Sequence, residues 1–206
     1  MLILWYLSVT SIVFTATPRA FKALEFNVKG IYNPATDVKL LSDTIDTETS
    51  LSSFGKLYIN FGTYRLFGQK TSLHTGISLG LSKDAFIASD YFFIGGFKDN
   101  LRRNQIPFAG YKSGEVVASN IVQIKLGLNY QLTRNLRIQT LGNVLMTSGN
   151  VKSLSESIAN FDTDNLHVGY GAGLLYKTPI GPVNIFLSGN NMDSHLRFYI
   201  NMGFTF

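Results

Sequence analysis

The first candidate for chemistry in this sequence is a serine in the stretch HTGISLGLS, residues 74–82. Gly76-Ile77-Ser78-Leu79-Gly80 fits the G-x-S-x-G pattern, in which a hydrolase presents its nucleophile on a sharp turn from strand to helix. Here aliphatic and small polar residues alternate through the motif without a break, which indicates one continuous strand. His74 would lie roughly 13 Å from Ser78 at the rise of a strand, beyond hydrogen-bond reach. We therefore expect a structural serine, no catalytic residue and no enzyme activity in this chain.

The remaining chemistry-bearing residues favour neither a cofactor nor a nucleic acid. The sequence contains no Cys, which excludes thiolate metal sites and cysteine nucleophiles. It shows no phosphate-binding loop and no metal-ligand spacing, so we expect no cofactor and no metal. The net charge of +5 comes from Lys and Arg residues scattered singly along the chain, without a basic cluster interleaved with aromatic residues.

Long alternating segments predict the fold class. In residues 119–132, SNIVQIKLGLNYQL, apolar or aromatic side chains occupy every second position for about eleven residues, and residues 165–178 and 196–206 repeat the pattern. Strands of soluble sandwiches are usually nearer five or six residues, whereas a tilted membrane-spanning strand needs roughly 9 to 11. Only 15% of the residues are charged, against about 25% in soluble domains. A membrane β-barrel is favoured over a soluble β-sandwich, which remains the competing class.

About nine such segments follow one another, separated alternately by tight turns and by longer polar links at about 34–52, 84–115 and 149–164. The segments lie near residues 3–15, 20–33, 53–67, 71–83, 116–131, 134–148, 165–178, 182–190 and 195–206. Outer-membrane barrels have short periplasmic turns and longer extracellular loops. We therefore predict an all-β protein, an antiparallel transmembrane β-barrel domain over residues 1–206 in the bacterial outer membrane, with 84–115 as a large extracellular loop. Four basic residues fall on the predicted lumen side, either as solvated wall charges, as partners of Asp or Glu in the loops, or as a source of anion preference: Lys125, Arg137, Lys177 and Arg197.

Two regions of the chain, the long loop and the C-terminal end, resemble a known family. YFFIGGF (91–97) and NQIPFAGY (104–111), before a long strand, resemble the sixth extracellular loop of the bacterial surface antigen superfamily of barrels, in which five strands follow. The ending, YKTPIGPVNIFLSGNN and FYINMGFTF, is similar to the last hairpin and closing strand of those barrels. Within the superfamily the chain looks most like the barrel attached to patatin-like phospholipases of Bacteroidota-type bacteria.

The resemblance implies a loop that folds into the lumen and a terminal signal for the outer-membrane insertion machinery. The loop motif comprises Gly95, Gly96, Arg102, Arg103, Gly110 and Tyr111, and the signal comprises Phe198, Gly203, Phe204 and Phe206. Assembly and secretion members carry an Arg-Gly-aromatic loop tip that meets an acidic motif on the wall. This chain has Ala109-Gly110-Tyr111 instead, with Arg102 or Arg103 as substitutes, and Gly142-Asn143 on the facing strand. We therefore expect no assembly or translocation mechanism of that kind.

By resemblance, the chain is a module that anchors, or also translocates, a passenger domain such as a patatin-like lipase. The alternatives are a complete eight-stranded barrel with a structural or adhesion role, and an outer-membrane phospholipase. The expected partners are outer-membrane lipids and lipopolysaccharide, the insertion machinery, and a passenger domain or a second copy of the chain. Family barrels have sixteen strands, so the eight or nine segments indicate the C-terminal part of a sixteen-stranded barrel. The second interpretation treats residues 1–17 as an atypical signal before a small closed barrel.

Overall fold

Strands make up most of the computed structural model, which describes residues 5–9, 22–33, 36–42, 45–51, 54–83, 91–97, 105–160, 163–179 and 181–203. The elements in chain order are β1 (Trp5–Val9), β2 (Lys22–Asn33), β3 (Thr36–Ser42), β4 (Ile45–Leu51), β5 (Phe54–Phe67), β6 (Thr71–Lys83), β7 (Phe92–Ile94), β8 (Gln105–Ile106), β9 (Val116–Ala118), β10 (Asn120–Gln131), β11 (Leu136–Ser148), α1 (Val151–Asn160), β12 (Leu166–Thr178), β13 (Gly181–Asn190) and β14 (Arg197–Met202). No helix among the described residues has the length and apolar character needed to cross a bilayer.

Nine of these strands form one sheet in the order β1-β2-β5-β6-β10-β11-β12-β13-β14. Each strand pairs antiparallel with the next, so the first and the last run in the same direction. Within the described part of the chain the sheet is open, with β1 and β14 at its two edges. The strands are long because the period-two pattern continues without a break, and five of them are 12 to 14 residues long between β5 and β12.

The two faces of the sheet differ in chemistry. One face, called the outer face, presents large apolar side chains that are about half exposed; Ile77, Ile124, Leu126, Val144, Tyr170, Ile185, Phe198 and Ile200 belong to it. The opposite face, called the inner face, carries buried polar side chains; Ser78, Ser82, Gln123, Asn143, Ser188 and Asn190 belong to it. An apolar surface turned outward and a polar surface covered by protein is the reverse of a soluble sheet protein, and it fits a sheet whose outer face meets lipid.

Each of the nine predicted segments contains one strand of the main sheet, although residues 3–4, 10–15, 20–21, 53 and 204–206 of these segments lie outside the described residues. One segment and two links differ from the prediction. The predicted strand 116–131 is two strands: Val116–Ala118 pairs with β7, and the strand of the main sheet begins at Asn120. Alternation of apolar and polar residues shows which side chains share a face of a strand, but it does not show which strand pairs with which. The break at Ser119 was therefore not visible in the sequence. The polar link 34–52 contains the hairpin β3-β4, and the link 149–164 contains α1.

The link between β6 and β10 folds back over the inner face. Its described residues, 91–97 and 105–118, are called the docked loop. They form a small sheet in the order β8-β7-β9. Its buried side chains, Phe92, Ile94, Ile106, Phe108, Tyr111 and Ala118, pack with Ile121 of β10 and Leu145 of β11. This cluster is the main apolar core of the described residues, and it lies between the docked loop and the inner face.

Candidate functional site

The Gly95-Gly96 pair organises the docked loop. Both glycines have positive φ angles, 126° and 83°, which favour residues without a Cβ atom. A Cβ atom on Gly95 would lie 1.9 Å from the carbonyl oxygen of Lys112. The amide of Gly95 donates to the carbonyl of Ile106 (3.0 Å), and the amide of Gly96 donates to the carbonyl of Tyr111 (2.8 Å). The pair therefore bonds the first arm of the loop to the arm that carries Tyr111.

The loop tip, Ala109-Gly110-Tyr111, approaches the backbone of β12 and β13 more closely than any side chain would allow. A Cβ atom on Gly110, which has a φ of 86°, would lie 2.1 Å from the carbonyl oxygen of Gly189. A Cβ atom on Gly169 would lie 2.0 Å from the carbonyl oxygen of Ala109. Two glycines, one on the loop and one on the wall, thus create the space in which the tip docks.

Side chains of the wall hold the tip through its backbone carbonyls. The amide of Asn190 donates to the carbonyl of Gly110 (2.6 Å). The hydroxyl of Tyr199 donates to the carbonyl of Tyr111 (2.9 Å). With its amide oriented to satisfy both of its neighbours, Asn143 accepts a hydrogen bond from the amide of Ala109 (3.0 Å). All three contacts are made to backbone groups of the tip, so they do not depend on which side chains the tip carries.

The Tyr111 side chain is the exception, because it makes contacts of its own. It is 4% exposed, and its hydroxyl lies 3.1 Å from Nδ1 of His167 on β12. Its ring packs edge-on against Phe108, with ring centroids 5.4 Å apart. Burial, reinforced by the nearby Glu115 carboxylate, raises the pKa of the Tyr111 phenol to about 12. The phenol therefore stays neutral and remains a proton donor throughout the physiological range.

Arg197, at the start of β14, connects the wall to the docked loop. Its guanidinium donates to the carbonyl of Gly110, and it forms ion pairs with Glu115 of the loop (3.0 Å) and with Asp193 (2.7 Å). The guanidinium carbon also lies 5.8 Å from the centre of the Tyr111 ring. The backbone amide of His195 and the Arg197 side chain both donate to Asp193, and together they hold the pKa of that carboxyl below its ordinary value.

The far arm of the loop is held by aromatic contacts. The rings of Phe97 and Phe186 have centroids 4.1 Å apart, and Phe92 is buried above Gly80 of β6. The ammonium of Lys56 lies 4.1 Å from the centre of the Phe92 ring and donates to the carbonyl of Tyr91 (2.9 Å). The loop thus spans the inner face from β5 to β14.

The predicted loop residues Gly95, Gly96, Gly110 and Tyr111 lie together in this arrangement. Arg102, Arg103, Phe204 and Phe206 lie outside the described residues. Phe198 is on the outer face, and Gly203, with a φ of 111°, follows the end of β14. The prediction that strand 142–143 faces the tip is correct for Asn143. Most of the wall contacts come from residues 189–199. Arg197 was predicted on the lumen wall and pairs with Glu115 of the loop. Asn190 and Tyr199 were not identified from the sequence, because no motif singles them out.

Ser78 lies in the middle of β6 and does not form a turn. Its backbone neighbours are Asn60 of β5 and Gln123 of β10. Its hydroxyl is buried and donates to Oδ1 of Asn60 (2.8 Å). The ring of His74 stacks on Tyr64, with centroids 4.2 Å apart. The geometry of a nucleophile elbow, with a strand-to-helix turn that lifts the serine out of the sheet, is not present at this position.

Long antiparallel strands, an apolar outer face and an inner face covered by the long loop before the fifth strand from the end define an outer-membrane type of β-barrel protein. The chain matches the OMP85 superfamily over residues 9–206, and it belongs to that superfamily. Membership is consistent with a location in the bacterial outer membrane. No curated protein matches the chain.

Proposed function

We propose that this chain is an outer-membrane β-barrel module that anchors a passenger domain, such as a patatin-like lipase, and has no catalysis of its own. The observation that carries the proposal is the docked loop. It covers the inner face from Lys56 on β5 to Arg197 on β14, and its core side chains pack directly on that face. An inner face covered by its own loop fits a module that holds a partner at the membrane better than one that conducts solutes.

A second observation supports the absence of catalysis. Ser78 is the nucleophile that the sequence pattern would require, and its hydroxyl is committed to Asn60 inside a continuous sheet. A serine nucleophile needs a base within hydrogen-bond reach and an exposed position beside backbone donors. Ser78 is fully buried on the inner face, so its hydroxyl is not open to a substrate.

The anchoring role is tested with a soluble reporter enzyme fused ahead of residue 1 and expressed in a Gram-negative host. We expect the reporter to be recovered with the outer membrane and to be released by detergent but not by high salt. The unfused reporter, exported to the same compartment, is the control and should remain soluble. Recovery of the intact fusion in the soluble fraction would contradict the proposal.

The absence of catalysis has its own test, which is independent of the fusion. The purified chain in detergent micelles is incubated with phospholipid, and release of fatty acid is measured. We expect no hydrolysis above the rate of the detergent blank. Hydrolysis that disappears in the Ser78→Ala variant would replace the proposal with an outer-membrane phospholipase.

A further inference from the structure

The contacts of Arg197 differ in kind from the other contacts of the docked loop. Asn190, Tyr199 and Asn143 each reach one backbone group of the tip. Arg197 reaches the loop at three points: the Gly110 carbonyl, the Glu115 carboxylate and the face of the Tyr111 ring. The planar guanidinium has five donors in a fixed fork, so one side chain can make all of these contacts at once.

We propose that Arg197 is the latch of the barrel: a cation carried by the wall strand, which holds the docked loop closed over the inner face. In this chain the loop tip itself, Ala109-Gly110-Tyr111, brings no charge to the contact. The positive charge comes from Arg197 on β14. Its partners on the loop are the backbone carbonyl of Gly110 and the carboxylate of Glu115. The inference concerns the barrel itself and does not depend on a passenger domain.

Asp193 has the role of a positioning residue. It lies in the β13-β14 connection, four residues before Arg197, and its carboxylate holds the guanidinium at 2.7 Å. The amide of His195 donates to the same carboxylate (2.9 Å), which fixes the carboxylate in turn. Because both contacts lie within the wall, they persist when the loop leaves. The guanidinium is therefore already oriented when the loop returns, and little side-chain entropy is lost on closing.

The charges at the latch also make it reversible. One guanidinium faces two carboxylates, Asp193 and Glu115, and its side chain is 12% exposed. When the loop leaves, Arg197 keeps its Asp193 partner, and Glu115, whose side chain is 34% exposed, is free to meet water. Neither charge is left buried and unpaired, which is the situation that makes the opening of a buried ion pair costly.

The test uses the absence of cysteine in the sequence. Ala109 at the tip is 2% exposed, so a single Ala109→Cys substitution gives a thiol that the closed loop hides from a membrane-impermeant maleimide. The full chain is labelled in outer-membrane preparations, with and without Arg197→Gln. We expect Arg197→Gln to speed labelling by roughly tenfold or more, as when one partner of a hydrogen-bonded charge pair is removed. Arg197→Lys, which keeps the charge but loses the fork, should restore part of the protection.

Two controls make the result specific. Arg137→Gln removes another inner-face arginine. Arg137 lies at the start of β11, away from Asn143, where β11 contacts the tip, so labelling of the tip should be unchanged. Ser113→Cys, at an exposed position of the loop, should label rapidly in every background. Folding of each variant is checked by heat-modifiable mobility in gels. Equal labelling of Ala109→Cys with Arg197 and with Gln at position 197, in folded protein, would overturn the proposal.

If Arg197→Gln does not fold, Glu115→Gln tests the same latch from the loop side and leaves the wall intact. We expect faster labelling of the tip in this variant too, by a smaller factor, because the Gly110 carbonyl contact remains. The double variant, with both Arg197→Gln and Glu115→Gln, should label no faster than Arg197→Gln alone where it folds, because both substitutions break the same ion pair. Unchanged protection in Glu115→Gln together with additive effects in the double variant would contradict the latch.

Discussion

The hydroxyl of Tyr199 on β14 donates to the backbone carbonyl of Tyr111 at the loop tip, at a distance of 2.9 Å. These residues are separated by 88 positions in the chain, and they meet because the docked loop crosses the inner face to reach the last strand. The amide of Gly96 donates to the same carbonyl (2.8 Å), so it is bonded to its own loop and to the wall at once. The loop and the last described strand are thus one hydrogen-bonded unit.

Close backbone packing at Gly169 predicts that an added methyl group will release the tip. Gly169→Ala would place its Cβ atom 2.0 Å from the carbonyl oxygen of Ala109, and neither backbone can yield that space. We expect rapid maleimide labelling of the Ala109→Cys thiol in this variant. Gly142→Ala on the neighbouring strand is the matched control, because nothing lies within 4 Å of its Cβ position. Slow labelling in both variants would show that the tip is not packed on Gly169.

The high pKa of Tyr111 predicts a late phenol titration. Burial raises the pKa of this side chain to about 12, above the ordinary value of 10.0. The neutral phenol is favoured in the docked state, so docking is unaffected below pH 10 and weakens as the pH rises from 10 towards 12. We expect Tyr111→Phe to remove one phenol from the late part of a spectrophotometric titration. An unchanged titration curve in that variant would contradict the assignment.

If the outer face meets lipid, the free energy of unfolding should depend strongly on the polarity of the side chains on that face. Leu126 is 55% exposed on this face, whereas Asn129, three residues later on β10, lies on the inner face. Leu126→Lys places a charge in lipid and should cost about 2 to 4 kcal/mol near the bilayer midplane. Asn129→Lys should cost much less. The free energy of unfolding in urea, measured in lipid vesicles, checks both, and equal losses would argue against a lipid-facing surface.

The hydrogen bond between Ser78 and Asn60 predicts a structural phenotype for Ser78→Ala. Removing the hydroxyl leaves Oδ1 of Asn60 without this donor, and we expect a loss of about 1 kcal/mol in unfolding free energy. Thr63→Val removes the hydroxyl pair with Thr75, which lies between the same two strands but on the outer face. It is the comparison variant and should lose a similar amount. A stability of Ser78→Ala equal to that of the parent would show that the bond contributes nothing.

Alternation along the chain was sufficient to predict most of the fold. Residues at every second position of a strand share a face, so the apolar set around Leu126 and the polar set around Gln123 could be assigned to opposite faces without coordinates. The same argument identified Ser78 as a strand residue in spite of its motif. Glycine and proline at the turns placed most strand ends within a few residues of their positions in the structure.

The long links were not predictable in the same way. The hairpin β3-β4 and the helix α1 lie in segments where polar composition indicates a loop and nothing more. The apolar residues Val116–Ala118 were predicted as the start of the next strand, although they pair with β7 in the docked loop. Asn150 directly precedes helix α1, and its side chain accepts from the amide of Ser153 (2.7 Å). Such a local cap is compatible with a turn as well as with a helix, so the pattern alone did not decide between them.

The sequence by itself determined the strands, their two faces and the family resemblance, because these depend on the order of residues within each segment. Tertiary structure decided which residues meet across the inner face. Arg197 is separated from Gly110 by 87 positions and from Glu115 by 82, and no spacing rule connects them. They come together because β14 occupies the end of the sheet order and the loop crosses to it. Contacts of that kind depend on the path of the chain in space.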